Sequence, residues 1–228
     1  MSTETTPMQR RSSISLPVVL GLIIALFGSS LLGFIDISDR LSTTTSGQLI
    51  VNSVIMWLLT GAVLSVVLYW EKRSIESIGI DVPSRRDATV GVAVGIVGLV
   101  LGILATGIAV AAFQLKQPET LSTLEALSLP VKLVIIGTAV VTEEVLWRGY
   151  PIERLTELTG SIWFGAASSG IVFLAVHYPA WGLVGAIPQA VFTLALVGVY
   201  VTTRNLIAAV LAHAVINVAM ILVLPAFV

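Results

Sequence analysis

Long apolar runs alternate along the chain with short polar stretches. Seven runs stand out, at about 15–35, 48–70, 89–113, 129–148, 161–179, 182–201 and 205–227. A hydrocarbon layer of ~30 Å needs about 20 residues at 1.5 Å each, so every run predicts a spanning helix. The polar leader 1–14, which holds Arg10 and Arg11, predicts a disordered segment on the cytoplasmic side. The apolar run after it exceeds the ~7–15 residues of a cleaved signal, so a retained helix is expected. Residues 71–88 set Ile75, Ile78 and Ile80 among charges and predict an amphipathic, interfacial segment. The expected fold is all-α: a polytopic integral membrane protein of about seven transmembrane helices, eight if the interfacial segment is helical.

Composition agrees. Of 228 residues, 56% are apolar and 11% charged, against about 25% charged in a soluble domain. Too few polar groups are present to cover a globular surface in water. The 12 basic and 13 acidic side chains nearly balance, which argues against nucleic acid as a partner. No cysteine is present, which excludes disulfides, thiolate zinc ligands and thiol catalysis. With the N-terminus cytoplasmic, nine basic residues fall inside and three (Arg40, Lys116 and Lys132) outside. That asymmetry predicts an N-in, C-out orientation, with the cell (plasma) membrane as the expected location. Glycines 91, 95, 98 and 102 form a stripe on the third run that predicts close helix packing.

Three polar clusters interrupt the apolar second half. Glu143, Glu144 and Arg148 close the fourth run. On a helix Glu144 and Arg148 are four apart and can pair, while Glu143 points elsewhere and stays available. Phe173 and His177 share one face of the fifth run, and His213 and Asn217 one face of the seventh. Each cluster alone admits a plainer reading: snorkelling charges, an interfacial histidine, or polar glue between helices. Polar groups at membrane depth nevertheless tend to face a bundle interior and to be functional. Counting along an antiparallel hairpin turned at Thr159-Gly160 brings Glu143 level with His177, provided that the helix continues past Pro151. The charges at 148–157 would then protrude into the cytoplasm.

A carboxylate, two imidazoles and a carboxamide suit hydrolysis of an amide by water. Glu143, helped by His177, would orient and deprotonate the water. His213 and Asn217 would donate hydrogen bonds to the developing oxyanion. Glu144–Arg148 would fix the helix geometry and local potential, and Phe173 would pack beside His177. No cofactor is favoured. The alternative is zinc or another divalent metal ion held by Glu143, His177 and His213. The partners expected are membrane lipids and a peptide or protein substrate entering from or near the membrane; oligomeric state is not legible.

The ordered trio E-E-x-x-x-R (Glu143, Glu144, Arg148), F-x-x-x-H (Phe173, His177) and H-x-x-x-N (His213, Asn217) resembles the CAAX protease and bacteriocin-processing family. That family is also called the Abi or type II CAAX prenyl endopeptidase family. The resemblance covers roughly residues 128–222. It implies an all-helical intramembrane peptidase with these residues at its active site, of either glutamate or metal-dependent type, acting on membrane-associated and in some members prenylated substrates. The division expected is a leader 1–14, N-terminal transmembrane helices over 15–127, and a CAAX protease-like catalytic core over 128–228.

Three other readings compete. A rhomboid-like serine mechanism would need G-x-S-G, and the nearest stretch, Ala167-Ser168-Ser169-Gly170, lacks the first glycine. A proton-coupled membrane transporter would spread polar groups over both halves. A non-catalytic scaffold or bacteriocin-immunity protein would keep the motifs without turnover.

Overall fold

The computed structural model describes residues 15–35, 37–116 and 119–224, apart from the side chain of Glu119. The leader 1–14 and the end of the seventh run, 225–227, lie outside the described residues. Every regular element among the described residues is helical. In chain order they are α1 (Leu16–Gly33), α2 (Ile37–Leu41), α3 (Thr45–Ser65), α4 (Arg85–Phe113), α5 (Glu119–Glu125), α6 (Leu129–Glu143), α7 (Tyr150–Thr159), α8 (Ile162–Thr203) and α9 (Leu206–Val218). A π-helical turn, Val66–Trp70, extends α3, and another, Glu144–Gly149, joins α6 to α7. Five of these helices, with their extensions, are long and apolar enough to cross a membrane, and the protein is an all-α polytopic membrane protein.

The fifth and sixth runs are the two arms of α8. Gly182, at φ 59° and ψ −165°, breaks the helix between them. A side chain there would be strained, because left-handed backbone disfavours a Cβ. The arms then run back along each other: a Cβ on Gly170 would lie 3.3 Å from Thr193 and 3.9 Å from Val197. Beyond the second arm, Arg204 adopts φ 54° and Asn205 caps α9 by accepting from the Ala208 amide at 3.0 Å.

The glycine stripe of α4 packs as its spacing predicts. A Cβ on Gly91 would meet the Ala208 carbonyl oxygen at 2.3 Å, and Gly95, Gly98 and Gly102 face Ala212, Ala195 and Phe192. Backbone lies against side chain and backbone here, the close approach that small residues allow inside a membrane. Ser84 and Asp87 start α4 with a reciprocal capping box.

The segment before α4 departs from expectation. No amphipathic helix spans 71–88. A four-residue 3₁₀ turn, Ile75–Ile78, stands there instead, and Ile78 is fully buried in the protein. The segment is docked by backbone pairing: the Leu206 amide donates to the Gly79 carbonyl at 2.7 Å, and Asn205 Nδ2 to the Asp81 carbonyl at 2.9 Å. A second correction concerns the charges after Arg148. Arg154 is 0% and Glu153 9% exposed, so they point into the protein and not out to water. Arg154 donates to Glu71 at 2.8 Å and to the carbonyl and hydroxyl of Ser77, while Tyr150 donates to Glu71 at 2.6 Å. Tyr200 donates to Glu153 at 2.7 Å, and Arg204 pairs with the same carboxylate. Only so dense a set of partners makes such burial tolerable. At the polar edge, outside the spans, the Arg73 guanidinium is held above its ordinary pKa by its hydrogen bonds to Glu157.

Candidate active site

The helical path from Leu129 to Thr159 is continuous, and Pro151 does not break it. Proline has no N–H to offer the Trp147 carbonyl four residues back. Ser169 Oγ, from the first arm of α8, donates to that carbonyl. The serine that a rhomboid-like mechanism would have used is therefore committed to the backbone of the neighbouring helix. The π-helical turn Glu144–Gly149 absorbs the local strain and is buried throughout. Turns of this type recur at functional sites because they re-aim side chains without ending the helix.

Consecutive carboxylates on this path face different partners. Glu144 is 0% exposed, and its Oε1 accepts from Arg148 Nη1 at 3.1 Å and from His213 Nδ1 at 2.7 Å. The pairing of Glu144 with Arg148 is the one that the i, i+4 spacing predicts. The Arg148 guanidinium also stacks 4.0 Å from the centre of the Phe173 ring. Phe173 is 1% exposed, meets Trp147 edge-on at 5.3 Å, and lies 4.2 Å from the His177 ring centre. It does more than pack beside His177, since its carbonyl accepts from His177 Nδ1 at 2.8 Å.

These hydrogen bonds set the tautomers. A carbonyl and a carboxylate only accept, so both Nδ1 atoms carry protons and both Nε2 atoms of the neutral rings are free to accept. Both Nε2 atoms face Glu143: His177 Nε2 lies 3.8 Å from its Oε1, and His213 Nε2 3.9 Å from its Oε2. The gaps are too long for direct hydrogen bonds and of the size a bridging water spans. The hairpin arithmetic thus holds: helices that turn at Gly160 bring Glu143 and His177 level.

Glu143, His177, His213 and Asn217 line one cavity of ≈570 Å³. Most of its remaining wall is apolar, from α3, α4, α5, α6, both arms of α8 and the residues that follow α9. Polar groups therefore occupy one corner of a chamber otherwise suited to hydrocarbon. One carboxylate and two Nε2 atoms are also a zinc-type donor set. Among the described residues, however, no three His, Asp or Glu side chains are arranged to hold a metal ion. Neighbouring ligands on a zinc ion lie roughly 3.3 Å apart, closer than the two gaps around Glu143.

Three contributors lack a local signal in the sequence. Ser169, Trp147 and Glu71 act through partners 22 to 83 residues away. Pro151 is the only hint for Ser169, because it announces a carbonyl in need of a donor.

The chain was compared with known families, curated proteins and solved structures. No curated protein and no solved structure matches it. One family model does, over residues 125–219, and its description is Type II CAAX prenyl endopeptidase Rce1-like. The matched stretch contains all seven side chains of the three motifs, from Glu143 to Asn217. Residues 125–219 of this membrane protein thus match the Rce1-like type II CAAX prenyl endopeptidase family.

Proposed function

We propose that the protein is an intramembrane endopeptidase that cuts membrane-associated peptides, prenylated CAAX-type C-termini among them, with a water activated by Glu143 and His177. One observation carries the reading. A carboxylate stands between two imidazole Nε2 atoms, at 3.8 and 3.9 Å, in the polar corner of a largely apolar cavity.

A water bridging Glu143 and His177 gives a proton to Glu143 and attacks the scissile carbonyl carbon. Negative charge gathers on the carbonyl oxygen. The Asn217 amide donates to that oxygen, and His213, anchored through Nδ1 to Glu144, donates beside it from Nε2 in its imidazolium form, which replaces the neutral ring for this step. Glu143 then returns its proton to the leaving amine, which frees the C-terminal fragment. Glu144 and Arg148 neutralise each other and fix the His213 ring. The apolar wall accommodates a lipid-like portion of the substrate. The excess of basic residues on one side supports a cytoplasmic N-terminus.

The reading is tested with full-length protein in detergent. The probe is a fluorogenic peptide ending in an S-prenylated cysteine, two aliphatic residues and one terminal residue, with its unprenylated twin beside it. Wild type should cut at least one, and Glu143→Gln and His213→Ala should each lose at least ~100-fold in kcat, as removal of a general base or oxyanion donor does. Variants that cut at the wild-type rate, or a wild type that cuts neither peptide, would sink the reading. Loss of activity on chelation, restored by a divalent ion, would replace the water-only mechanism with the metal-dependent one.

A further inference from the structure

We propose that Gln189 is a substrate-binding residue, whose carboxamide pairs with the peptide backbone next to the scissile bond. The inference rests on the peptidase reading and adds the means by which the substrate chain is held in register.

The second arm of α8 presents Val184, Gly185, Pro188, Gln189 and Phe192 to the cavity that also holds Glu143, His177 and His213. Their spacing is that of one helix face. Two other polar groups on the wall are committed within the protein. Thr106 donates to the Gly102 carbonyl at 2.7 Å, and His177 Nδ1 to Phe173. The Gln189 backbone carbonyl is committed as well, to Thr193 Oγ1 at 2.7 Å. Its half-buried carboxamide makes no hydrogen bond among the described residues. It is therefore not glue between helices, the usual reason for a glutamine at membrane depth.

A carboxamide offers two donors and one acceptor, the complement of a peptide unit. An extended peptide drawn into an apolar chamber has the matching need, because each backbone N–H and C=O there must find a partner. The wall supplies a second acceptor close by. Pro188 has no N–H to give the Val184 carbonyl four residues earlier, and both residues line the cavity. Gln189 and this carbonyl form a strip that pairs with main chain and is indifferent to side chains. Sequence preference is then left to the apolar wall.

The test uses full-length protein, the two peptides above, and a series in which each backbone N–H of the peptide is methylated in turn. Gln189→Leu should lower kcat/KM roughly 10- to 100-fold, as expected when a buried hydrogen-bonding partner is lost. One N-methylation should slow the wild type strongly and Gln189→Leu hardly further, since the same pair is already gone. A merely structural role for Gln189 would not produce that coupling. Wild-type kcat/KM in Gln189→Leu overturns the proposal, as does a scan in which both proteins lose the same factor at every position. Should Gln189→Leu not fold, Gln189→Met and the scan on wild type decide, and a scan with no sensitive position overturns it. Glu143→Gln separates the two claims: full activity there sinks the peptidase chemistry, whereas an inactive Glu143→Gln beside an unimpaired Gln189→Leu sinks only the role of Gln189.

Discussion

Glu144 receives Arg148 and His213 on a single carboxylate oxygen, with no water-exposed surface of its own. Removing it leaves a buried guanidinium without its counter-charge and an imidazole free to turn. Glu144→Ala is therefore expected to destabilise the fold by about 3–5 kcal/mol, the cost of breaking a buried pair from one side. Glu144→Gln keeps an acceptor for His213 Nδ1 and should be milder in stability, yet still lose ~10- to 100-fold in turnover as the ring's charged anchor disappears. Thermal denaturation in detergent and peptide kinetics measure the two effects. A Glu144→Ala protein with wild-type melting and turnover would remove this residue from the account. The pairing itself is legible in the sequence because four residues make a helical turn and a bit. The His213 contact is not, since nothing local links positions 69 apart.

At the scale of elements, the helix through the site owes its irregularity to Pro151. Pro151→Ala would restore an amide facing the Trp147 carbonyl and compete with Ser169 for it. The turn Glu144–Gly149 should then tighten toward regular α-helix and rotate Glu143 away from the imidazoles. The expected outcome is a protein as stable as wild type, or more so, with activity down at least ~10-fold because ångström misplacement is costly in catalysis. Parallel melting and kinetic measurements check it, and unchanged kinetics would show that the π-turn is incidental. Hydrophobic patterning located α1, α3, α4, the two arms of α8 and α9, while the fourth run yields the shorter α6, which is not among the five span-length helices; the hairpin count located Glu143 beside His177, because both readings follow from the 1.5 Å rise. The same patterning missed the docked 71–84 segment. Three isoleucines among charges read equally as a face for lipid or a face for protein, and the backbone bonds from Leu206 and Asn205 that choose between them arise far along the chain.

For the whole molecule, orientation is directly measurable, since no native cysteine interferes with labelling. In intact cells a membrane-impermeant maleimide should react with Lys116→Cys and not with Arg86→Cys; the reverse pattern would overturn the proposed orientation. The two halves of the chain meet at Glu71, which holds both Tyr150 and Arg154. Glu71→Ala should cost several kcal/mol by leaving Arg154 buried opposite too little charge, seen as a lower melting temperature. Unaltered melting would show the contact to be dispensable.

That contact bears on how the domain could be reused. Grafted alone into another host, the 125–219 stretch would arrive with a buried Arg154 that keeps Glu157 at 3.3 Å but has lost its closer partner Glu71. Chimeras and minimal versions need the 71–78 stretch supplied as well, in cis or as a co-expressed fragment. Natural shuffling of this unit faces the same constraint.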